Sequence, residues 1–347
     1  MVISPIVTEV INCVNGIDKN GVARAATLLN AGKLVVIPTE TVYGLAANAL
    51  DAKAVAAIFE AKGRPQDNPL IVHVASPEWL PRYVQEVPES AHKLMDAFWP
   101  GPLTIILKKS PVIPDIVSAG LDTAGFRCPS HPVAHAIIEA SGLPLAAPSA
   151  NLSGSPSPTI ALHALQDLDG RVSAVVDGGP CGVGVESTII TLCGERPRLL
   201  RPGGVTLEQL RAVLGDVDVD PAVTHKLAEG MRVESPGMKY KHYAPKANVI
   251  IVKGEIDAMS AYVNARAAKG VVALCFEGEE GRFDVPCVTY GGREDDLSQA
   301  QRLFDALREL DFIGAKTVYA SCPKTDGVGL AVYNRLIRAA GFEIIEP

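Results

Sequence analysis

The stretch AKGRPQDNPLIVHV sets Lys62 and Arg64 on either side of Gly63, with Asn68 and His73 close behind. Glycine lets backbone approach a ligand closely, and the planar fork of arginine grips phosphate oxygens through paired bonds. The two cations therefore suit a polyphosphate. Ordinary helix capping by Lys and Gly accounts for the same residues. If the charges serve a ligand, removing either is expected to cost turnover and leave folding untouched. A second group is PSANLSGSPSPT, residues 148–159, which follows the apolar run LPLAA. Its hydroxyls, amide and exposed N–H groups can wrap phosphates or a base, and it lies at the carboxyl end of a strand, where open α/β sheets bind ligands. A plain solvated turn cluster has the same composition. A third is DGGPCGVGVESTII, residues 177–190, where four glycines precede Glu186, Ser187 and Thr188. It reads as an anion cradle or as a glycine hairpin. Arg127 and Arg201 each follow an apolar segment and precede a proline-containing loop, positions from which either can clamp a carboxylate or phosphate.

Other chemistries lack their residues. No G-x-x-x-x-G-K-[ST] loop, no G-x-S-x-G elbow and no zinc-spaced Cys/His set occurs, which argues against a P-loop NTPase, acyl transfer through a serine and a protein-bound transition metal. What remains is a pocket of Lys/Arg and Ser/Asn/Thr groups suited to catalysis by positioning and charge neutralisation.

The elements that must hold these loops alternate. VARAATLLNAGKLVVI reads as helix into buried strand, and AKAVAAIFEAK, PLIVHVA, SAHKLMDAF, LTIILKK, PVAHAIIEAS, LPLAA, SAVVD, ESTIITLC and RLLR continue the α/β pattern to about residue 206. From NVIIVKG to FEIIEP strand and helix alternate again without a G-x-G-x-x-G turn, so a small parallel Rossmann-like unit is expected without dinucleotide binding. Between them, SPGMKYKHYAPKA carries three lysines, a histidine and two tyrosines, a composition that suits docking as much as spacing. The expected organisation is a mixed-sheet domain over 1–206, a connecting segment over 207–247 and a parallel α/β domain over 248–347.

The 347 residues, 48% hydrophobic and with a net charge of −7, give ample core for two domains. Neither half is basic: residues 1–206 carry 15 basic and 18 acidic groups, and 248–347 carry 11 and 15. Stable binding to nucleic acid is disfavoured, because it draws on a clustered cation excess. Seven cysteines with no C-x-x-C read as reduced thiols, and the absence of a long apolar run or basic leader points to a cytoplasmic protein without membrane contact.

In order along the chain, PTETVYGL, KGRP, NPLIVHV, RCPSHP, APSANLSG, VESTII, RPGG and SPGMKYKHYAP resemble the YrdC-like family, and within it the two-domain threonylcarbamoyl-AMP synthases. The resemblance implies a twisted mixed-sheet catalytic domain and a reaction of L-threonine, bicarbonate or carbon dioxide, and ATP. Threonylcarbamoyl-AMP, pyrophosphate and water would result, with Mg2+ carried by the triphosphate. It implies that Thr41 and His73 hold the threonine side chain, that Arg127 and Ser187 take its carboxylate, and that the Ala147 backbone touches it. Around ATP it implies Lys62, Arg64, Asn68, Thr123, Ser149, Asn151, Ser157 and Arg201. A linker tyrosine, Tyr240 or Tyr243, would close over the nucleotide, the HYAP motif favouring Tyr243. It further implies transient hand-over of product to a tRNA threonylcarbamoyl transferase. Phe126 and Cys128 depart from the aliphatic residues usual beside the arginine. A carbamoyltransferase of the same fold and a double-stranded RNA-binding module are the alternatives. The paired C-x-x-C segments of the first are missing, and the acidic balance opposes the second.

Overall fold

The computed structural model describes residues 6–226 and 242–347. Eleven strands build one mixed sheet: β1 Glu9–Asn12, β2 Val35–Ile37, β3 Gly44–Asn48, β4 Ile71–His73, β5 Leu103–Lys108, β6 Thr123–Arg127, β7 Leu145–Ala146, β8 Ala174–Asp177, β9 Thr188–Thr191, β10 Arg198–Arg201 and β11 Asp218–Val219. Their order is β1-β8-β2-β3-β7-β4-β6-β5-β9-β10-β11. Seven helices accompany them: α1 Lys19–Asn30, α2 Ala52–Lys62, α3 Glu89–Phe98, α4 Asp115–Ser118, α5 Pro132–Ser141, α6 Ala161–Leu168 and α7 Leu207–Leu214. The helix ends follow local chemistry. The Asp51 carboxylate accepts from the Lys53 and Ala54 N–H groups to start α2, and Gly63, in the left-handed region at φ 61°, stops it.

The second sheet is wholly parallel, as the alternation of its segment leads one to expect. Its strands are β12 Asn248–Val252, β13 Val271–Cys275, β14 Cys287–Thr289, β15 Thr317–Ser321 and β16 Ile344–Ile345, in the order β14-β13-β15-β12-β16. α8 Ile256–Asn264 belongs to the core on one face, and α9 Asp296–Phe312 and α10 Gly329–Ala339 to that on the other. None of the seven cysteines forms a disulfide.

Two details refine the pattern, in which TLEQLRAVLG already reads as a short helix. The run LPLAA keeps only Leu145–Ala146 as strand, since Pro144 and Pro148 bracket it and neither can donate to a ladder. The segment after residue 206 is more than a tether, because α7 is closed by a Thr206 capping box and β11 pairs in parallel with β10 at the edge of the large sheet.

Candidate functional site

The loops singled out by composition meet at a cavity with about 680 Å³ of empty space, counting its open mouth. From the expected set it is lined by Thr41, Lys62, Arg64, His73, Arg127, Ala147, Ser149, Asn151, Ser187, Arg201 and Tyr243. Asn68 and Ser157 are fully buried behind it, and Thr123 lines a small separate apolar depression with Ile71 and Ile189. Tyr240 lies outside the described residues.

Each side chain is held from a different element. At the carboxyl end of β4, beside Arg127 at the end of β6, lies His73. Arg127 Nη2 stands 2.7 Å from Glu40 Oε1 in a nearly buried ion pair, and its Nε donates to Gly101 O at 3.3 Å. Burial and the Arg127 charge push the His73 imidazole down to about 3, so it is neutral at any ordinary pH. His242, which sequence reasoning did not single out, lines the same cavity and is likewise held near 3 by burial and Arg64. The Ser187 hydroxyl sits between Thr104 Oγ1 at 2.8 Å and Arg201 Nη2, which donates at 3.2 Å.

Lys62 departs from expectation. It is 3% exposed, and its Nζ donates to Ser149 O at 2.5 Å and Asn151 O at 2.6 Å, stitching α2 to the 148–159 loop. Burial and the neighbouring Arg64 pull its pKa well below the ordinary lysine value. Removing it would orphan two carbonyls, at a cost of about 1–3 kcal/mol, so its loss is expected to lower stability. Arg64 is looser: its Nη2 only brushes Asn68 O and Pro69 O at 3.4 and 3.5 Å.

The glycine loop is a brace and not a cradle. Gly178, Gly179, Gly182 and Gly184 are absent from the cavity wall. Instead Val183 N donates to Glu40 O and Gly184 N to Thr41 O, and Gln301 Nε2 of α9 donates to Gly182 O at 2.6 Å. A Cβ on Gly184, which sits at φ 83°, would lie 2.3 Å from Gln301 Cα, so the residue permits the second domain to press on the first.

Several buried polar atoms lack a protein partner: both ends of the Asn68 amide, His73 Nδ1 and Asn151 Oδ1. Native interiors rarely leave such groups unpaired, and around a cavity they mark where a ligand supplies the missing bonds. Sequence reasoning also gave no role to Glu186, which lines the cavity and accepts from Ser157 Oγ at 2.5 Å and from Arg335 Nε at 2.8 Å. Its position beside Ser187 was visible. Its partner on α10, 149 residues away, was not.

Tyr243 has φ 62°, a left-handed conformation uncommon for a bulky residue, and its ring packs 5.2 Å from Phe304 while also lining the cavity.

Known proteins share this sequence and fold. Residues 27–203 match the Sua5, YciO and YrdC family model, described as telomere recombination, and residues 205–341 match the threonylcarbamoyl-AMP synthase C-terminal domain. The threonylcarbamoyl-AMP synthase of Pyrococcus abyssi is 46% identical over 98% of this chain and 99% of its own length, and that of Bacillus subtilis is 46% identical over 93% and 94%. The crystal structure of Pyrococcus abyssi Sua5 complexed with L-threonine superposes with a TM-score of 0.91 at 44% identity, over 98% of this chain and 100% of that one. By its cavity, its two sheets and these matches along its length, the chain belongs to the two-domain threonylcarbamoyl-AMP synthase family.

Proposed function

We propose that this cavity condenses L-threonine, ATP and carbon dioxide, taken as such or from bicarbonate, into threonylcarbamoyl-AMP, with release of pyrophosphate and, where bicarbonate is the source, of the water lost in its dehydration. The threonine amine captures carbon dioxide, and the resulting carbamate oxygen displaces pyrophosphate at the α-phosphorus, a nucleotidyl transfer that needs no protein nucleophile. The observation that carries this reading is the convergence of Lys62, Arg64, Arg127 and Arg201 on one cavity with small hydroxyl and amide groups between them. Such a set grips a triphosphate and a small zwitterion by position and charge.

Thr41 and His73 read the threonine side chain, Arg127 and Ser187 its carboxylate, and the Ala147 backbone its remaining face. Lys62, Arg64, Asn68, Ser149, Asn151, Ser157 and Arg201 surround the nucleotide, with Thr123 at its edge and Tyr243 closing over it. Magnesium enters with the triphosphate, whose oxygens are hard ligands. The carboxylate lining the cavity, Glu186, is committed to Arg335. Residues 1–206 serve as catalytic domain, 248–347 as C-terminal domain, and 207–247 as the segment joining them. The product supports threonylcarbamoyladenosine formation on tRNA, passing to a transferase in the cytoplasm. Among the described residues no helix is long and apolar enough to cross a membrane. The carbamoyltransferase alternative has less support, since residues 205–341 match the synthase C-terminal domain.

The test is pyrophosphate release with each substrate omitted in turn. Release that needs ATP, threonine and bicarbonate together is expected, and release from ATP alone, or none with all three, overturns the reading.

A further inference from the structure

Among the described residues Arg335 is the largest fully buried side chain, and it comes from α10 of the C-terminal domain. Outside its own helix its hydrogen bonds go to the large-sheet domain. Its Nε donates to Glu186 Oε2 at 2.8 Å, its Nη2 to Glu186 O at 3.0 Å and its Nη1 to Pro202 O at 2.6 Å, while Asn334 Oδ1 takes a further bond at 3.0 Å. The guanidinium carbon also lies 5.9 Å from the centre of the Tyr243 ring. A buried guanidinium is costly to desolvate, and a fork that reaches a side chain and two backbone carbonyls of one neighbouring wall fixes that wall's shape as well as its charge.

What the fork controls is the company of Glu186. This carboxylate is 6% exposed and belongs to the wall of a cavity read as binding polyphosphate. Burial opposes its charge, but Arg335, Arg201 and the Ser157 hydroxyl outweigh burial and hold its pKa below the ordinary value, so it is an anion. An anion there repels phosphate unless it is neutralised. Two arginines are near enough to do it. Arg201 is turned elsewhere: its Nε donates to Ser187 O at 3.0 Å and its Nη2 to the Ser187 hydroxyl. With Arg335 gone, Arg201 is the next arginine acting on Glu186, and pairing there would draw it off Ser187.

We propose that Arg335 is a positioning residue of the catalytic site: by neutralising Glu186 it reserves Arg201 and the Ser187 hydroxyl for the nucleotide and the threonine carboxylate. The C-terminal domain thus completes, from behind, the charge balance of a cavity whose charged lining residues belong to the large-sheet domain. This inference rests on the functional reading above.

The experiment uses the full chain and titration calorimetry with ATP and with L-threonine, beside KM and kcat from pyrophosphate release. Arg335→Met is expected to weaken both ligands about tenfold or more and to raise both KM values, because Glu186 is left as a bare buried anion. Glu186→Gln in the same chain removes that anion and is expected to bring both affinities back to within about threefold of wild type. Arg335→Lys, which keeps the charge and loses the fork, should fall between the two. If Arg335→Met fails to fold, Arg335→Gln, which is uncharged and whose amide nitrogen falls where Nε stood, is judged by the same criteria. Affinities in the single variant within twofold of wild type, or a double variant as weak as the single, overturn the proposal. A wild-type chain that binds neither ATP nor threonine overturns the functional reading instead.

Discussion

His73 shows how far a residue's chemistry is set by its burial. It is 2% exposed, and its imidazole titrates near 3, against 6.5 in the unfolded chain. The unfolded state therefore binds the extra proton first, and the contribution of this histidine to stability is complete above pH 6.5 and is lost as pH falls below it. The slope for one such group is about 1.4 kcal/mol per pH unit until its folded pKa is reached. Urea unfolding of wild type and His73→Asn between pH 7 and 5 checks this, with a shallower loss of stability expected in the variant. Parallel lines for the two proteins would show that the imidazole is charged, or exposed, in the folded state. Because it stays neutral, His73 can offer the threonine hydroxyl an acceptor without adding a cation beside Arg127.

The glycines of RPGG act at the level of elements. A Cβ on Gly203 would lie 2.3 Å from Thr188 N and 2.6 Å from Glu186 O, so the turn after β10 rests directly on the backbone that leads into β9. Arg335 ties the two together by bonding Pro202 O and Glu186 O. Gly203→Ala must push apart two segments that carry Arg201 and Ser187, and overpacking of this kind costs about 1–3 kcal/mol. The variant should melt lower and lose affinity for threonine, both read by thermal unfolding and calorimetry. Unchanged melting and binding would mean the two strands are free to part. RPGG was legible as a motif, and KGRP, PSAN and VEST were legible as loops at strand ends, because local spacing of small and charged residues records where a chain turns. The partners were not. In NRLIRAAG, Arg335 reads as an ordinary cation on an amphipathic helix, and in DGGPCGVG the close approach of α9 leaves no mark except a glycine. Short strands such as β1, with a single buried residue, Ile11, show no periodicity to read.

For the molecule as a whole, the second domain is built into the cavity. Its core runs without a break from Phe304, Leu307 and Leu336 to Val42 and Val185 of the large-sheet side, with Tyr243 between. Arg308 grips Asp167 through two bonds at 3.1 and 2.9 Å, and Asn334 and Arg338 donate to Val223 O and Ala222 O. Buried, apolar contact of this extent makes the pair of domains one working body, since interfaces that let domains move are smaller and more polar. From sequence alone, deleting residues 248–347 is expected to harm turnover less than loss of the tyrosine, on the view that the closing segment can dock by itself. The structure reverses that order. Phe304 and Arg335 form the C-terminal side of the seat of Tyr243, and the left-handed backbone at Tyr243 is held only while the surrounding packing persists, at a strain of about 1–3 kcal/mol. A chain ending at residue 247 loses that seat, the counter-charge to Glu186 and the ring's position together. Tyr243→Ala loses the ring alone. The expected order of kcat/KM for ATP is therefore wild type, then Tyr243→Ala, then the shortened chain, with the first step about tenfold. Pyrophosphate release at limiting ATP measures it, alongside circular dichroism to show that the large sheet survives in the shortened chain. A folded shortened chain that outperforms Tyr243→Ala would show that the tyrosine finds its place without the C-terminal domain.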